Sequence, residues 1–368
     1  MRWLVVAVLV ACSSSSPRVD RPTASSGNAV DAAAALATKS EAITLTVGAR
    51  SVPGTVVSPA APGRWPAVVL LAGSGPTDRD WNSKLIATKN GSGKLLAEAL
   101  AAHGSVVLRF DKAGSGENPG PPIAEWTFDT YRDESVAALA ALRARPDVRK
   151  DKVFVAGHSE GGIHATRLVA VSGTDVAGVI YLASASRSMA DTMITQIEAS
   201  MRNPVAGLSK ELVDADIATL RATLNDFLAG KTVDPAKASV LPPVQQLVAG
   251  IVAPETAGLT RGLLGFDNAK EAPKSVTVPV LIVNGGKDIQ VDTELDAKPL
   301  HAAFVAAKRD ATLTIAPDAD HVLKNEPKTV VQIRADLQTA QDGYNADGRV
   351  LDAALTAGIV TWLAARTR

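Results

Sequence analysis

The serine at position 159 is the residue of this sequence that most clearly predicts chemistry. It lies in the run 157–161, which reads Gly-His-Ser-Glu-Gly, after an apolar run at 153–156 and before a helical periodicity that begins at Glu160. These patterns predict a strand, a tight turn that exposes the serine hydroxyl, and a helix. A serine in such a turn is typical of a nucleophile that attacks a carbonyl carbon. The alternative is a glycine-rich turn with an incidental serine, and the flanking patterns favour the nucleophile.

A serine nucleophile needs a base that removes its proton and an acid that fixes the tautomer of that base. Where the serine occupies a turn of this kind, the acid and then the base follow it along the chain. Of the five histidines, His321 lies in a loop just after the last predicted strand, and we predict it as the base. Asp288, after the strand at 279–283, is the predicted acid. Asp292 and Asp296 remain rivals, and Asp292 could instead cap the following helix.

Acyl transfer also needs two N–H donors for the negatively charged oxygen of the tetrahedral intermediate. The N–H of Glu160, directly after the nucleophile, is the first candidate. The second is expected in the loop after the strand at 68–71, where Ser74 is the predicted donor and Gly75 the alternative. Asp, Arg and Asp at 78–80 follow, and we interpret them as an ion-pair cluster that holds this loop.

Strand and helix patterns alternate along most of the chain. An antiparallel entry hairpin with a turn at 51–53 comes first. Buried strands are predicted at 67–71, 105–110, 153–156, 176–182, 278–283 and 312–315, and helices at 95–103, 130–144 and 350–366. The alternation predicts an α/β fold, a mostly parallel sheet flanked by helices.

The interval at about 187–272 interrupts this alternation. It contains helical segments at 189–201, 209–229 and 242–251 and no convincing strand, which predicts a helical cap inserted after the sixth strand. Its charged residues Asp214, Asp216, Arg221 and Asp226 are expected on a solvated helix face.

Composition excludes several classes of function. Lys and Arg together number 38, as do Asp and Glu, so no charge excess suggests a nucleic-acid partner. The glycine pairs at 73–75 and 114–116 do not extend to a phosphate-binding motif. No cluster with metal-ligand spacing is present, and the sequence predicts neither a metal nor another cofactor.

The amino terminus has the features of a lipoprotein leader. A short positive region and an apolar run end at 9–12, Leu-Val-Ala-Cys, which resembles the bacterial lipobox. Residues 1–11 are predicted to be a signal peptide, Cys12 the lipidated membrane anchor, residues 12–40 a flexible tether and residues 41–368 the folded domain. The expected location is the cell envelope, on the periplasmic face of the outer membrane in a cell that has one.

Five blocks in order resemble the serine-aminopeptidase-like esterases, a bacterial branch of the α/β-hydrolases. They lie at 72–80, 109–117, 157–161, 283–288 and 321–324. The resemblance covers roughly residues 42–366 and implies an α/β-hydrolase fold with a helical cap. It also implies Ser159 as nucleophile, Asp288 as acid and His321 as base.

The chain departs from this branch at three positions near the expected mouth of the site. Trp81 stands where glycine is usual, Ala113 where arginine is usual, and Asn118 where serine is more common. None of these positions belongs to the predicted Ser-Asp-His set. Substrate preference is therefore not implied by the resemblance.

The sequence as a whole predicts a lipid-anchored serine hydrolase that cleaves a small-molecule carboxylic ester through an acyl-enzyme. The alternatives are an amide, peptide or thioester substrate for the same residues, a non-catalytic binding protein, and a structural lipoprotein of the envelope.

Overall fold

Eight strands form one sheet in the computed structural model, which describes residues 35–83, 89–337, 343–344 and 348–368. The strands are β1 (Thr38–Val47), β2 (Arg50–Pro59), β3 (Trp65–Leu71), β4 (Val106–Phe110), β5 (Val148–His158), β6 (Gly178–Leu182), β7 (Val280–Gly285) and β8 (Ala311–Ala316). Their order in the sheet is β1-β2-β4-β3-β5-β6-β7-β8. Pairing is antiparallel between β1, β2 and β4 and parallel elsewhere, so the predicted mostly parallel sheet is confirmed.

Helices cover both faces of the sheet. In the described residues they are α1 (Ser92–Ala102), α2 (Thr130–Ala144), α3 (Gly161–Ser172), α4 (Met189–Met201), α5 (Lys210–Leu228), α6 (Pro242–Ile251), α7 (Ala257–Gly265), α8 (Asn268–Ser275), α9 (Lys298–Ala306), α10 (Val330–Ala335) and α11 (Ala353–Thr367). The α/β-hydrolase architecture expected from the sequence is present.

Consecutive strand residues enter two separate apolar layers. Val69 and Val155 pack in one layer with α2, α3 and α9, whereas Val68 and Phe154 pack in the other with α1 and α11. Successive strand side chains point to opposite faces, so a strand between two helix layers must be apolar at every position. This is why the central strands appear in the sequence as continuous apolar runs.

The turn of the entry hairpin differs from the prediction. The chain reverses at Gly48, whose φ of +59° suits glycine, and Ala49, while Val52 and Pro53 already lie in β2 opposite β1. Val52 is fully buried, so the inward pattern of β2 continues through the proposed turn. β1 begins at Thr38, slightly before the predicted domain start at residue 41.

Helix α1 lies along one face of the sheet, from the carboxyl ends of the parallel strands to their amino ends. At its first residue, the Ser92 hydroxyl donates to the Val322 carbonyl, 2.7 Å away, beside the loop after β8. At its last residue, the Ala102 carbonyl accepts from the Leu36 N–H at 2.9 Å. The chain therefore enters the described domain at the end of the sheet where β4 begins.

The interval between β6 and β7 holds the five helices α4 to α8 and, among its described residues, no strand. Their apolar side chains form a cluster separate from the two sheet layers, built from residues such as Ile197, Leu220 and Val248. The segment thus folds around its own small core.

One charged residue of this segment was wrongly expected in solvent. Asp216 is only 4% exposed and accepts hydrogen bonds from the Ser239 hydroxyl at 2.5 Å and the Val240 N–H at 2.6 Å. Its carboxylate ties α5 to the chain before α6, a contact that the helical pattern alone could not show. Asp214 and Arg221 are exposed, Asp226 is half-exposed, and all three form ion pairs, as expected for a solvated face.

The predicted lipidation site Cys12 lies outside the described residues. In the ranges that the structure covers, no helix is both long and apolar enough to cross a membrane.

Candidate active site

Ser159 lies in a strained turn between β5 and α3. Its φ is +53°, a left-handed conformation that residues with a side chain rarely adopt and that costs about 1–2 kcal/mol. Hydrogen bonds hold it there: the Ser159 N–H donates to the Leu182 carbonyl at 2.9 Å, and its own carbonyl accepts from Gly162 at 3.0 Å. A Cβ at Gly161 would lie 2.5 Å from the Leu71 carbonyl oxygen, so only glycine fits against β3. The turn leaves Ser159 partly exposed.

The predicted acid and base are joined by a hydrogen bond. His321 Nδ1 donates to Asp288 Oδ2 at 2.8 Å, and both side chains are buried. The other carboxylate oxygen of Asp288 accepts from the N–H groups of Gln290 at 2.8 Å and Val291 at 2.9 Å. This arrangement fixes the imidazole orientation and leaves Nε2 as the ring nitrogen available for proton transfer.

Electrostatics raise the pKa of His321. Burial alone lowers it, but the negative charge of Asp288, its hydrogen bond and the nearby charge of Asp320 outweigh burial and raise the pKa above the ordinary 6.5. The site therefore stabilises the imidazolium that forms when the ring accepts a proton.

The rival carboxylates are engaged elsewhere. Asp292 caps the turn that leads into α9, accepting from the N–H groups of Glu294 and Leu295. Asp296 is buried and forms an ion pair with Arg187, with 2.8 Å between Oδ2 and Nη2. Asp292 thus has the capping role that the sequence left open, and the structure brings Asp288 to His321.

Among the described residues, no direct hydrogen bond joins Ser159 to His321. His158, the residue before Ser159, contacts His321 instead. His158 Nε2 donates to the His321 carbonyl at 2.8 Å, and the two rings lie 4.9 Å apart. Burial, and next the charge of His321, lower the pKa of His158 to about 3, so it is neutral near pH 7. Hydrogen bonds between nucleophile and base are often long before substrate binds. His158 immediately precedes Ser159, and its position in the sequence gives no signal for a contact with a loop that lies 163 residues later.

The loop after β3 lies against the nucleophile. A Cβ at Gly73 would be 3.2 Å from Ser159 Cβ, so the loop backbone passes directly beside it. The next residue, Ser74, is fixed by the Thr77 hydroxyl, which donates to its carbonyl at 2.6 Å. Within the described ranges, the N–H groups of Ser74 and Glu160 donate to no other protein group.

The charged residues after this loop form ion pairs, as the sequence suggested. Arg79 bonds Asp111 through its N–H at 2.8 Å and its guanidinium at 2.6 Å, and Asp80 pairs with Arg109. Asp78 accepts from the N–H groups of Asp80 and Asn82. These contacts fasten the loop to the end of β4.

A second, buried charge cluster lies behind the loop and was not singled out from the sequence. Lys112 Nζ donates to the Gly73 carbonyl and lies 3.7 Å from Glu160 Oε1. The same Glu160 oxygen lies 3.5 Å from His164 Nε2, and Tyr131 donates its hydroxyl proton to the Ala72 carbonyl at 3.1 Å. The cluster connects the residue after the nucleophile to the loop opposite it.

The carboxylate of this cluster is held in its charged form. Burial raises the pKa of Glu160. The charge of Lys112 and hydrogen bonds from His164 and Ser74 outweigh burial and lower the pKa to about 2. The Glu160 carboxylate and the Lys112 ammonium are therefore a buried charge pair next to the two predicted oxyanion donors.

Comparison with known proteins assigns the family. Residues 89–328, more than half of the chain, match the family described as serine aminopeptidase, S33. The chain belongs to the S33 serine aminopeptidase family. The S33 match includes Ser159, Asp288 and His321, whereas Ser74 lies before it.

A curated protein and a solved structure are also similar to this chain. The chain is 28% identical over 271 residues to Esterase EstD of Thermotoga maritima, covering 74% of this chain and 58% of that protein. It therefore spans little more than half of that relative's length. The esterase PF2001 of Pyrococcus furiosus has a similar fold, with a TM-score of 0.52 and 15% identity over 90% of this chain and 92% of that one.

Proposed function

We propose that this protein is a serine hydrolase that cleaves carboxylic esters through an acyl-enzyme. The observation that carries the proposal is the buried His321–Asp288 hydrogen bond of 2.8 Å, joined through His158 to a serine with a φ of +53°. A strained, partly exposed serine, together with an oriented histidine, is suited to nucleophilic attack on a carbonyl. Membership of the S33 family and similarity to a protein named as an esterase support the same chemistry.

In the first half of the reaction, Ser159 Oγ forms a bond to the ester carbonyl carbon while His321 Nε2 takes the hydroxyl proton. The N–H groups of Ser74 and Glu160 stabilise the resulting oxyanion. The bond from carbon to the alcohol oxygen then breaks, and His321 returns its proton to the departing alcohol.

In the second half, water replaces the alcohol. His321 takes a proton from the water, the hydroxide oxygen bonds to the acyl carbon, and the bond to Ser159 Oγ breaks as the serine regains its proton. Throughout, Asp288 holds Nδ1–H and stabilises the transient imidazolium.

The same residues could also open an amide, peptide or thioester bond. The family description names aminopeptidases, so the peptide alternative has a specific basis. Comparing kcat/KM for p-nitrophenyl esters, acyl thioesters and aminoacyl p-nitroanilides distinguishes these substrates. The proposal requires the ester to be the fastest, and a faster anilide would make the protein a peptidase.

Removing the nucleophile or the base tests the assigned residues. Ser159→Ala and His321→Ala should each lower kcat by on the order of 10⁴ or more, and the double variant should be little worse because the groups act as a unit. Labelling by a fluorophosphonate probe should require Ser159. An active His321→Ala enzyme would contradict the assigned base, and a wild-type protein that neither turns over esters nor binds the probe would refute the proposed function.

A further inference from the structure

Lys112 is an unusual lysine because its ammonium group is buried beside Glu160, the residue that follows the predicted nucleophile. It follows β4 by two residues, and its side chain is 7% exposed. Lysine is among the residues least often buried, and a buried ammonium must be hydrogen-bonded and paired. Here the partners are the Gly73 carbonyl and the Glu160 carboxylate.

The carbonyl that Lys112 binds belongs to the peptide unit that supplies a predicted oxyanion donor. That unit joins Gly73 to Ser74, so it contains the Gly73 C=O and the Ser74 N–H. A trans peptide is planar and directs its C=O and N–H in opposite directions, and no cis bond occurs in the described residues. An ammonium group that holds the carbonyl on one side therefore aims the N–H to the other.

The second contact of Lys112 leads to the other predicted donor. Glu160 provides its backbone N–H to the oxyanion and its side chain to Lys112, 3.7 Å from the ammonium. A single side chain thus joins the loop after β3 to the residue after the nucleophile. The two N–H groups gain a fixed relative position without any direct bond between them.

We propose that Lys112 is a positioning residue that orients the Ser74 N–H toward the oxyanion by holding the carbonyl of the same peptide unit. The inference rests on the proposed function, in which Ser74 and Glu160 stabilise the tetrahedral intermediate. Lys112 does not touch the reacting atoms. Its effect is realised in the transition state, where the oxyanion carries its charge, rather than in substrate binding.

Kinetics of Lys112→Met test this proposal. The variant should lose about 10- to 100-fold in kcat, with KM changed less than about threefold, because a misdirected donor weakens stabilisation of the transition state only. The matched control is Lys152→Met, since Lys152 Nζ also donates to a backbone carbonyl, that of Arg366 on α11, at 2.8 Å. The control should keep the wild-type kcat.

Two further measurements separate positioning from simple charge pairing. A trifluoromethyl ketone, which forms the tetrahedral adduct, should bind Lys112→Met more weakly by the same factor as the loss in kcat. The double variant Lys112→Met with Glu160→Gln leaves no unpaired buried charge, so it should fold even if the single variant does not, and its kcat should stay low.

The outcomes are distinct. An active wild-type enzyme with unchanged kcat in Lys112→Met, or restored kcat in the double variant, would overturn the positioning role alone. A wild-type protein without esterase activity would refute the proposed function, and this inference with it.

Discussion

At Trp81 a large aromatic residue occupies a backbone conformation that favours glycine. Its φ is +67°, which explains why the esterase branch that the sequence resembles usually has glycine there. The conformation costs about 1–2 kcal/mol, whereas burying such a side chain contributes about 1.5–3 kcal/mol. The indole is 3% exposed and stacks on His158, with 4.7 Å between ring centres. Burial of the indole therefore offsets the backbone strain, and its stacking supports His158, whose ring holds the His321 carbonyl.

The raised pKa of His321 predicts how the proposed activity depends on pH. The base accepts a proton only when neutral, so kcat/KM should fall as pH decreases through a value above 6.5. Asp320→Asn removes one of the charges that raise this pKa and keeps the Asp288 hydrogen bond. We expect its acidic limb to move to lower pH. The measurement is kcat/KM between about pH 5 and 9 for both enzymes.

The Lys112→Met variant is a control for that experiment, because Lys112 lies among the predicted oxyanion donors rather than beside the imidazole. Its kcat/KM should be lower at every pH while the acidic limb stays in place. A limb at or below pH 6.5 in the wild type, or an unmoved limb in Asp320→Asn, would contradict the electrostatic account.

The contacts at the site differ in how far the sequence could predict them. Order along the chain after the serine, together with a loop position after a predicted strand, predicts Asp288 and His321, and the structure brings these two side chains together. His158 and Lys112 could not be selected in this way. Their partners are backbone carbonyls of loops distant in the chain, and no spacing in the sequence encodes such a contact.

At the scale of elements, the helices between β6 and β7 contact the loop that carries the predicted acid. Gln196 on α4 donates to the Gln290 carbonyl at 3.0 Å, two residues beyond Asp288. The ion pair of Arg187 with Asp296 fastens the start of the segment to the turn before α9. Changes within the segment can therefore reach the active-site loop without passing through the sheet.

We propose that α4 to α8 form a cap that selects the acyl group. Exchanging residues within 189–251 should change ester chain-length preference more than stability, because a cap contacts substrate while the sheet carries the main core. The measurements are kcat/KM for p-nitrophenyl esters of increasing acyl length, and Tm. Substitution of the exposed Ala140 on α2 is the control and should alter neither. Exchanges that lower Tm and leave the preference unchanged would assign the segment to the core.

Elements with strong periodicity were predicted closely, and those defined by distant partners were not. The bounds of α2, α4 and α6 agree with the sequence analysis because each helix has a continuous apolar face. β5 is longer than its apolar run, starting at Val148 instead of Val153, because polar residues extend the strand where the helix layer no longer covers it. A strand end of this kind is defined by pairing, which periodicity does not report.

At the scale of the whole molecule, we propose that Cys12 anchors the protein to a membrane. Cleavage before Cys12 and acylation of its sulfur and new amino group would supply several acyl chains, each CH₂ contributing about 0.8 kcal/mol when buried. The wild-type protein should fractionate with membranes and Cys12→Ala should not. Mass spectra of the mature amino terminus identify the modification. A soluble wild-type protein that begins well beyond Cys12 would contradict the proposal.

The contact between Leu36 and Ala102 shows where a tether from Cys12 would join the domain. Helix α1 has 11 residues and is therefore about 16 Å long. It separates this entry point from the end of the sheet where the His321 loop lies. The tether predicted between Cys12 and this point, about 20 residues, would add a span of roughly 25 Å. In the proposed anchored protein, the tether would join the domain at the end away from His321, and a site left accessible to water predicts dissolved esters as its substrates. Wild type and Cys12→Ala should then hydrolyse a water-soluble ester equally well, and neither should favour an ester embedded in vesicles.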